Sequence, residues 1–194
     1  MRETPAINYL RQAKIQIMLL GIFVGLMWII ECLNFLVDGN LNQFGIEPRT
    51  KLGLRGIVFA PFLHVNFAHL IANSVPFLTL GWFVMLRKIS DFLWVTAIAA
   101  LVGGLGTWLI APDNSLHVGA SGVIFGYLGF LIARGYFERS LLSILLSIAV
   151  GVTYGGLIWG ILPGQIGISW QGHFFGLLGG VIAARILVPA SKDR

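Results

Sequence analysis

The chain predicts an all-α membrane protein, a bundle of six transmembrane helices with a short fourth span. Three observations carry that expectation. Of its 194 residues, 57% are apolar and 11% charged, against about 25% charged in ordinary soluble domains. Charge-free stretches run over 15–30, 56–86, 92–112, 114–133 and 140–184, on the scale of the ~20 mostly apolar residues that cross a hydrocarbon core. These are long unbroken runs rather than short alternating segments, which argues against a β-barrel.

The first span is expected at 15–37. It is too long for the apolar part of a secretory leader and no small-residue cleavage site follows it, so it reads as a retained span. The single cysteine, Cys32, lies inside it and excludes an intramolecular disulfide framework. It reads as a small buried apolar side chain. A polar, turn-rich outer loop follows over 38–56, with Asp38-Gly39-Asn40 and Glu47-Pro48. Spans two and three are expected at 67–86 and 92–110.

The fourth span, expected at 121–134, is the unusual one. Residues 121–133 reach about 20 Å at 1.5 Å each, short of the roughly 30 Å core. Residues 111–120 must then dip inward from the outer face as irregular backbone. Such backbone is tolerated at membrane depth only where protein buries it or it lines a wet cavity. The long run 140–184 holds two more spans, at 141–162 and 170–188, divided at Pro163-Gly164-Gln165. The whole of 1–194 reads as one domain with short tails at about 1–14 and 189–194.

Six spans put both termini on one side. That side holds Arg2, Arg11, Lys14, Arg87, Lys88, Arg134, Arg139, Arg185, Lys192 and Arg194, and the other holds Arg49, Lys51 and Arg55. This is the positive-inside bias, so the termini are expected in the cytoplasm of a multi-pass protein. The net charge of +5 is therefore a matter of topology, and no nucleic-acid partner is expected.

Spans two, four and six all run inward from the outer face, and the polar groups suited to chemistry gather at their openings. Ser121 opens the fourth span within Gly119-Ala120-Ser121-Gly122, and His173 lies near the start of the sixth. A hydroxyl and an imidazole at one depth are the minimal parts of nucleophilic hydrolysis, the ring taking the proton as the oxygen attacks a carbonyl. Alone, Ser121 reads as a helix N-cap and His173 as a core histidine; together, each beside glycine, they favour catalysis. No carboxylate neighbours either in sequence, so the expected arrangement is a dyad.

Gly172, Gly176 and Gly180 recur every four residues, and the fourth span carries Gly122 and Gly126. Small residues at that spacing let membrane helices approach closely, which would bring His173 to Ser121. His69 and Asn73 share a face of the second span and could stabilise an oxyanion beside the Ser121 N–H. Asn73 could equally bond a neighbouring helix. His64 reads as pinning loop structure and His117 as an exposed loop residue. A metal site of His64, His69 and His173 is disfavoured for want of a carboxylate or thiol.

Together these motifs resemble the rhomboid family of intramembrane serine proteases. Gly119-Ala120-Ser121-Gly122 matches its Gly-x-Ser-Gly, His173 with Gly176 and Gly180 its sixth-span motif, and His69 with Asn73 its His-xxx-Asn, preceded by His64. The resemblance covers all six spans. It implies Ser121 as nucleophile, His173 as general base and then acid, and His69, Asn73 and the Gly119 region around the oxyanion. It implies transmembrane substrates cut near the outer face at a small residue, lipid surroundings, a bacterial inner membrane and no cofactor. Three positions depart from the family pattern. Phe125 stands where many members carry a tyrosine that stacks on the histidine, Leu54-Arg55-Gly56 replaces Trp-Arg, and Leu86-Arg87 replaces Glu-Arg. A catalytically silent protein that binds transmembrane helices is the alternative.

Overall fold

The computed structural model describes residues 5–38, 40–165 and 167–188. Residues 1–4 and the tail 189–194, with Arg2, Lys192 and Arg194 of the charge argument and Gly39 of the first turn, lie outside the described residues. The helices in chain order are α1 (Pro5–Leu36), the short α2 (Gly56–Phe59), α3 (Phe67–Met85), α4 (Ile89–Ile110), α5 (Ser121–Glu138), α6 (Leu141–Tyr154) and α7 (Trp170–Leu187). 3₁₀ turns at Asn40–Phe44, Leu52–Arg55, Ala60–Phe62 and Gly155–Ile161 complete the path.

Four helical segments among the described residues are long and apolar enough to cross a membrane: Ile7–Leu36, Phe67–Met85, Ile89–Ile110 and Leu141–Ile161. The last is α6 continued by its 3₁₀ turn. α5 and α7, at 18 residues each, are about 27 Å long. Every residue of α5 from Val123 to Leu131 is buried. A helix buried on all sides is enclosed by other helices, and α3, α4, α6 and α7 surround it.

α5 continues beyond the expected end at residue 134. The side chain of Arg134 is buried and pairs with Glu138 one turn on, Nε to Oε2 at 2.5 Å. Glu138 takes the Arg134 Nε and Nη2 hydrogens, leaving Nη1 buried without a partner among the described residues, and the helix runs on. Arg139, at φ 54°, stops it, and Ser140 Oγ caps α6 by accepting from the Ser143 N–H. α1 likewise begins at Pro5 rather than near 15, since nothing between Ala6 and Lys14 breaks a helix and proline is tolerated in a first turn.

Close backbone approach joins α5 to α7. A Cβ on Gly176 would run into the Gly122 carbonyl, and one on Gly180 into the Gly126 carbonyl. Gly172 faces Ser169 and Thr107 of α4 instead. Phe23, Phe77, Phe92 and Tyr127 form an aromatic cluster between α1, α3, α4 and α5. The Tyr127 hydroxyl meets that of Thr96 at 2.6 Å, so the buried phenol keeps a partner.

Two arginines tie the ends. Arg49 donates to the Leu109 and Ala111 carbonyls and to Asp113, holding the loop after α1 on the end of α4. Arg87 donates to Asp91 at 2.6 and 2.9 Å and to the Leu187 carbonyl at 2.8 Å, fastening the α3–α4 turn to the end of α7. Cys32 is exposed, contrary to the expected burial. α1 presents a stripe of Leu20, Met27, Glu31 and Asn34 to the protein, and Cys32 falls outside it.

Candidate active site

The segment entering α5 is irregular backbone held on the stretch between α1 and α3. His117 and Ile46 exchange backbone hydrogen bonds at 2.9 and 3.0 Å, and the Gly119 N–H donates to the Ala60 carbonyl at 2.8 Å. Gly119 sits at φ +124°, a region open to glycine and strained for other residues. A side chain there would meet the His69 ring, 2.7 Å from Cε1. The site therefore needs glycine twice over.

Ser121 is the first residue of α5. Ala120 occupies the N-cap and no side chain caps the helix, so the Ser121 hydroxyl has another use. Its Oγ lies 2.8 Å from His173 Nε2. His173 Nδ1 lies 2.9 Å from the Gly160 carbonyl oxygen. A carbonyl can only accept, so Nδ1 carries the hydrogen and Nε2 presents its lone pair to the serine hydroxyl. The Phe125 ring stacks on the imidazole with centroids 4.1 Å apart. Phe125 and His173 are both buried.

His173 is placed by the first turn of α7. Its N–H donates to the Ser169 carbonyl at 3.1 Å, while Ser169 Oγ caps the helix by accepting from the Gly172 N–H. Gly122 lies beside the Gly172 carbonyl; with no side chain between them, the two helix starts close together. A cavity of about 530 Å³ opens over the pair, bordered by His69, Asn73, Ser121, Phe125, Leu157 and His173.

His69 and Asn73 stand one turn apart on α3, whose start is capped by Asn66 accepting from the His69 N–H at 2.9 Å. Both side chains border Gly119. Asn73 Nδ2 donates to the His69 carbonyl at 3.1 Å, which leaves its second amide hydrogen free for a ligand. His64 is wholly buried, its ring edge-on to His69 at 5.2 Å, and its carbonyl accepts from Asn34 Nδ2 of α1. Burial, with His69 alongside, pushes its pKa down to about 4. His64 is thus a neutral ring packed against His69 of α3, its two nitrogens without hydrogen-bond partners among the described residues, while its backbone carbonyl holds α1. Among the described residues no three His, Cys, Asp or Glu side chains gather to hold a metal.

Two contributors escaped the sequence reading. The Gly160 carbonyl orients His173, and a backbone acceptor in a 3₁₀ turn has no residue-type signal. His117, expected to be exposed, is half-buried with both ring nitrogens bonded, to Ser115 and Ser169. Its position four residues before Ser121 was visible, but its partner lies 52 residues away.

These features define a class: a helical integral membrane protein with a serine–histidine pair at a cavity among its helices. The Rhomboid domain model matches residues 51–190, and the chain belongs to the rhomboid family, whose members are generally serine intramembrane proteases and include inactive ones. It is 44% identical over 181 residues to an uncharacterized protein of Mycobacterium tuberculosis, covering 89% of this chain and 75% of that one. A Mycobacterium leprae counterpart is 41% identical over the same length, covering 89% and 72%. The rhomboid protease GluP of Bacillus subtilis is 29% identical over 132 residues, covering 64% of this chain and 24% of GluP.

Proposed function

We propose that this chain is an intramembrane serine endopeptidase that cuts transmembrane helices near their outer ends through Ser121 and His173. The observation that carries the reading is the 2.8 Å contact between Ser121 Oγ and His173 Nε2, with Nδ1–H committed to the Gly160 carbonyl. The proton then has one direction to go. Nε2 takes it as Oγ attacks the scissile carbonyl. The imidazolium that forms keeps its second N–H on Gly160, a backbone acceptor standing where triads use a carboxylate.

The negative charge that develops on the carbonyl oxygen needs donors. The Ser121 N–H is one of the unsatisfied donors at a helix start, and His69 and Asn73 face it across Gly119. His173 then gives its proton to the departing amine, and water in the cavity hydrolyses the acyl-enzyme by the reverse path. No cofactor enters this chemistry.

The same reading takes α1, α3, α4, α5, α6 with its 3₁₀ turn, and α7 as six spans. Both termini lie in the cytoplasm by the distribution of Lys and Arg, and a bacterial inner membrane is the location. The substrate is the transmembrane helix of another protein, with a small residue at the cut by likeness to the family. A fluorophosphonate probe applied to the purified protein tests the reading. An adduct mapped to Ser121 that disappears in His173→Ala is expected; a folded wild type that takes no label would instead favour a silent helix-binding protein.

A further inference from the structure

Two segments build the site, 117–121 leading into α5 and 169–173 opening α7, and two histidine–serine hydrogen bonds join them in mirrored order. His117 Nδ1 meets Ser169 Oγ at 2.8 Å, and Ser121 Oγ meets His173 Nε2 at 2.8 Å. On each segment the two members are four residues apart.

The outer bond has a fixed direction. Ser115 Oγ donates to the Pro112 carbonyl at 2.5 Å, so towards His117 Nε2, 2.8 Å away, it accepts. Nε2 therefore carries the hydrogen of a neutral ring, and Nδ1 accepts from the Ser169 hydroxyl. Ser169 Oγ in turn accepts from the Gly172 N–H. Burial lowers the His117 pKa from its ordinary value, in keeping with a neutral ring. The main chain of His117 is bonded to Ile46 in both directions, and Ser115 and Ser169 hold the two ring nitrogens. It fixes the Ser169 hydroxyl and with it the turn of α7 that holds His173.

We propose that His117 is a positioning residue, which through Ser169 sets the distance between Ser121 and His173; this rests on the hydrolytic reading above. It touches neither reacting atom. Its effect is on geometry, and misplacement by about 1 Å can cost roughly 10²-fold in rate.

The test is the rate of fluorophosphonate labelling by the full-length protein in detergent, resolved into probe affinity and the maximal inactivation rate. His117→Ala and Ser169→Ala are each expected to lower the maximal rate roughly tenfold or more with affinity little changed. The double variant should be no slower than Ser169→Ala, because both singles remove the His117–Ser169 contact and Ser169→Ala also removes the cap on the Gly172 N–H. Ser169→Thr, which keeps the hydroxyl, should recover most of the rate. The Ser169 variants leave the His117 backbone untouched, so the test survives a His117 variant that fails to fold. Wild-type rates in both alanine variants, or losses that multiply in the double, would overturn the inference alone. A wild type that takes no label would overturn the hydrolytic reading and this inference with it.

Discussion

Phe125 and His173 lie ring on ring, 4.1 Å between centroids and 10° from parallel. Phe125 is one turn beyond Ser121 on α5, so the helix that presents the Ser121 hydroxyl also clamps the His173 imidazole. Such a stack is worth about 0.5–1.5 kcal/mol, roughly a tenfold rate effect if all of it serves alignment. Phe125→Ala is expected to slow cleavage of a transmembrane substrate about tenfold, and Phe125→Tyr to stay within about threefold of wild type. Equal rates for all three proteins would show that the stack does not align the base.

Asn73 offers one amide hydrogen to the cavity while the other holds the His69 carbonyl. Asn73→Ala should lower the turnover number by roughly 10²-fold, the usual cost of one oxyanion donor, with little change in substrate KM or thermal midpoint. A fall in the midpoint without loss of turnover would make Asn73 a structural bond within α3 and remove it from the oxyanion.

Glycine at equal spacing does different things on different helices. A Cβ on Gly176 runs into the Gly122 carbonyl, whereas Gly151 of α6 has nothing within 4 Å of its would-be Cβ. Gly176→Ala should destabilise the protein by about 1–3 kcal/mol through overpacking and abolish labelling of Ser121. Gly151→Ala should be neutral or stabilising by up to about 1 kcal/mol from helix propensity. Thermal melts in detergent distinguish them, and equal midpoints would contradict the α5–α7 packing.

At the α3–α4 turn Asp91 is nearly buried while Arg87 is partly exposed, their side chains 3% and 13% accessible. Arg87→Ala strands a buried carboxylate and should cost about 3 kcal/mol. Asp91→Asn should cost less, since Arg87 keeps the Leu187 carbonyl and reaches solvent. Denaturant melts that rank Asp91→Asn as the more damaging change would refute this account of the pair.

Much of this arrangement was legible in the chain. The apolar runs located the helices because burial in lipid leaves few residue types to choose from. Gly119, Ser121 and His173 stood out because polar groups and glycine are rare in such runs. What escaped was set by tertiary contacts. The length of α5 depends on Arg134 finding Glu138, and the tautomer of His173 depends on a carbonyl that any residue could supply. Cys32 is exposed because of the side of α1 that faces the protein, and apolar content on every face hides that choice. The partner of His117 is brought to it by the packing of α7, which the spacing around His117 does not reveal.

The most direct test of the Ser121–His173 pair is cleavage of a single-span substrate by the protein reconstituted in liposomes, with Ser121→Ala, His173→Ala and the double variant assayed together. Nucleophile and base acting as one unit should each cost about 10⁴-fold or more alone, and the double no more than either single. Cleavage that survives in Ser121→Ala, or losses that multiply in the double variant, would contradict the account.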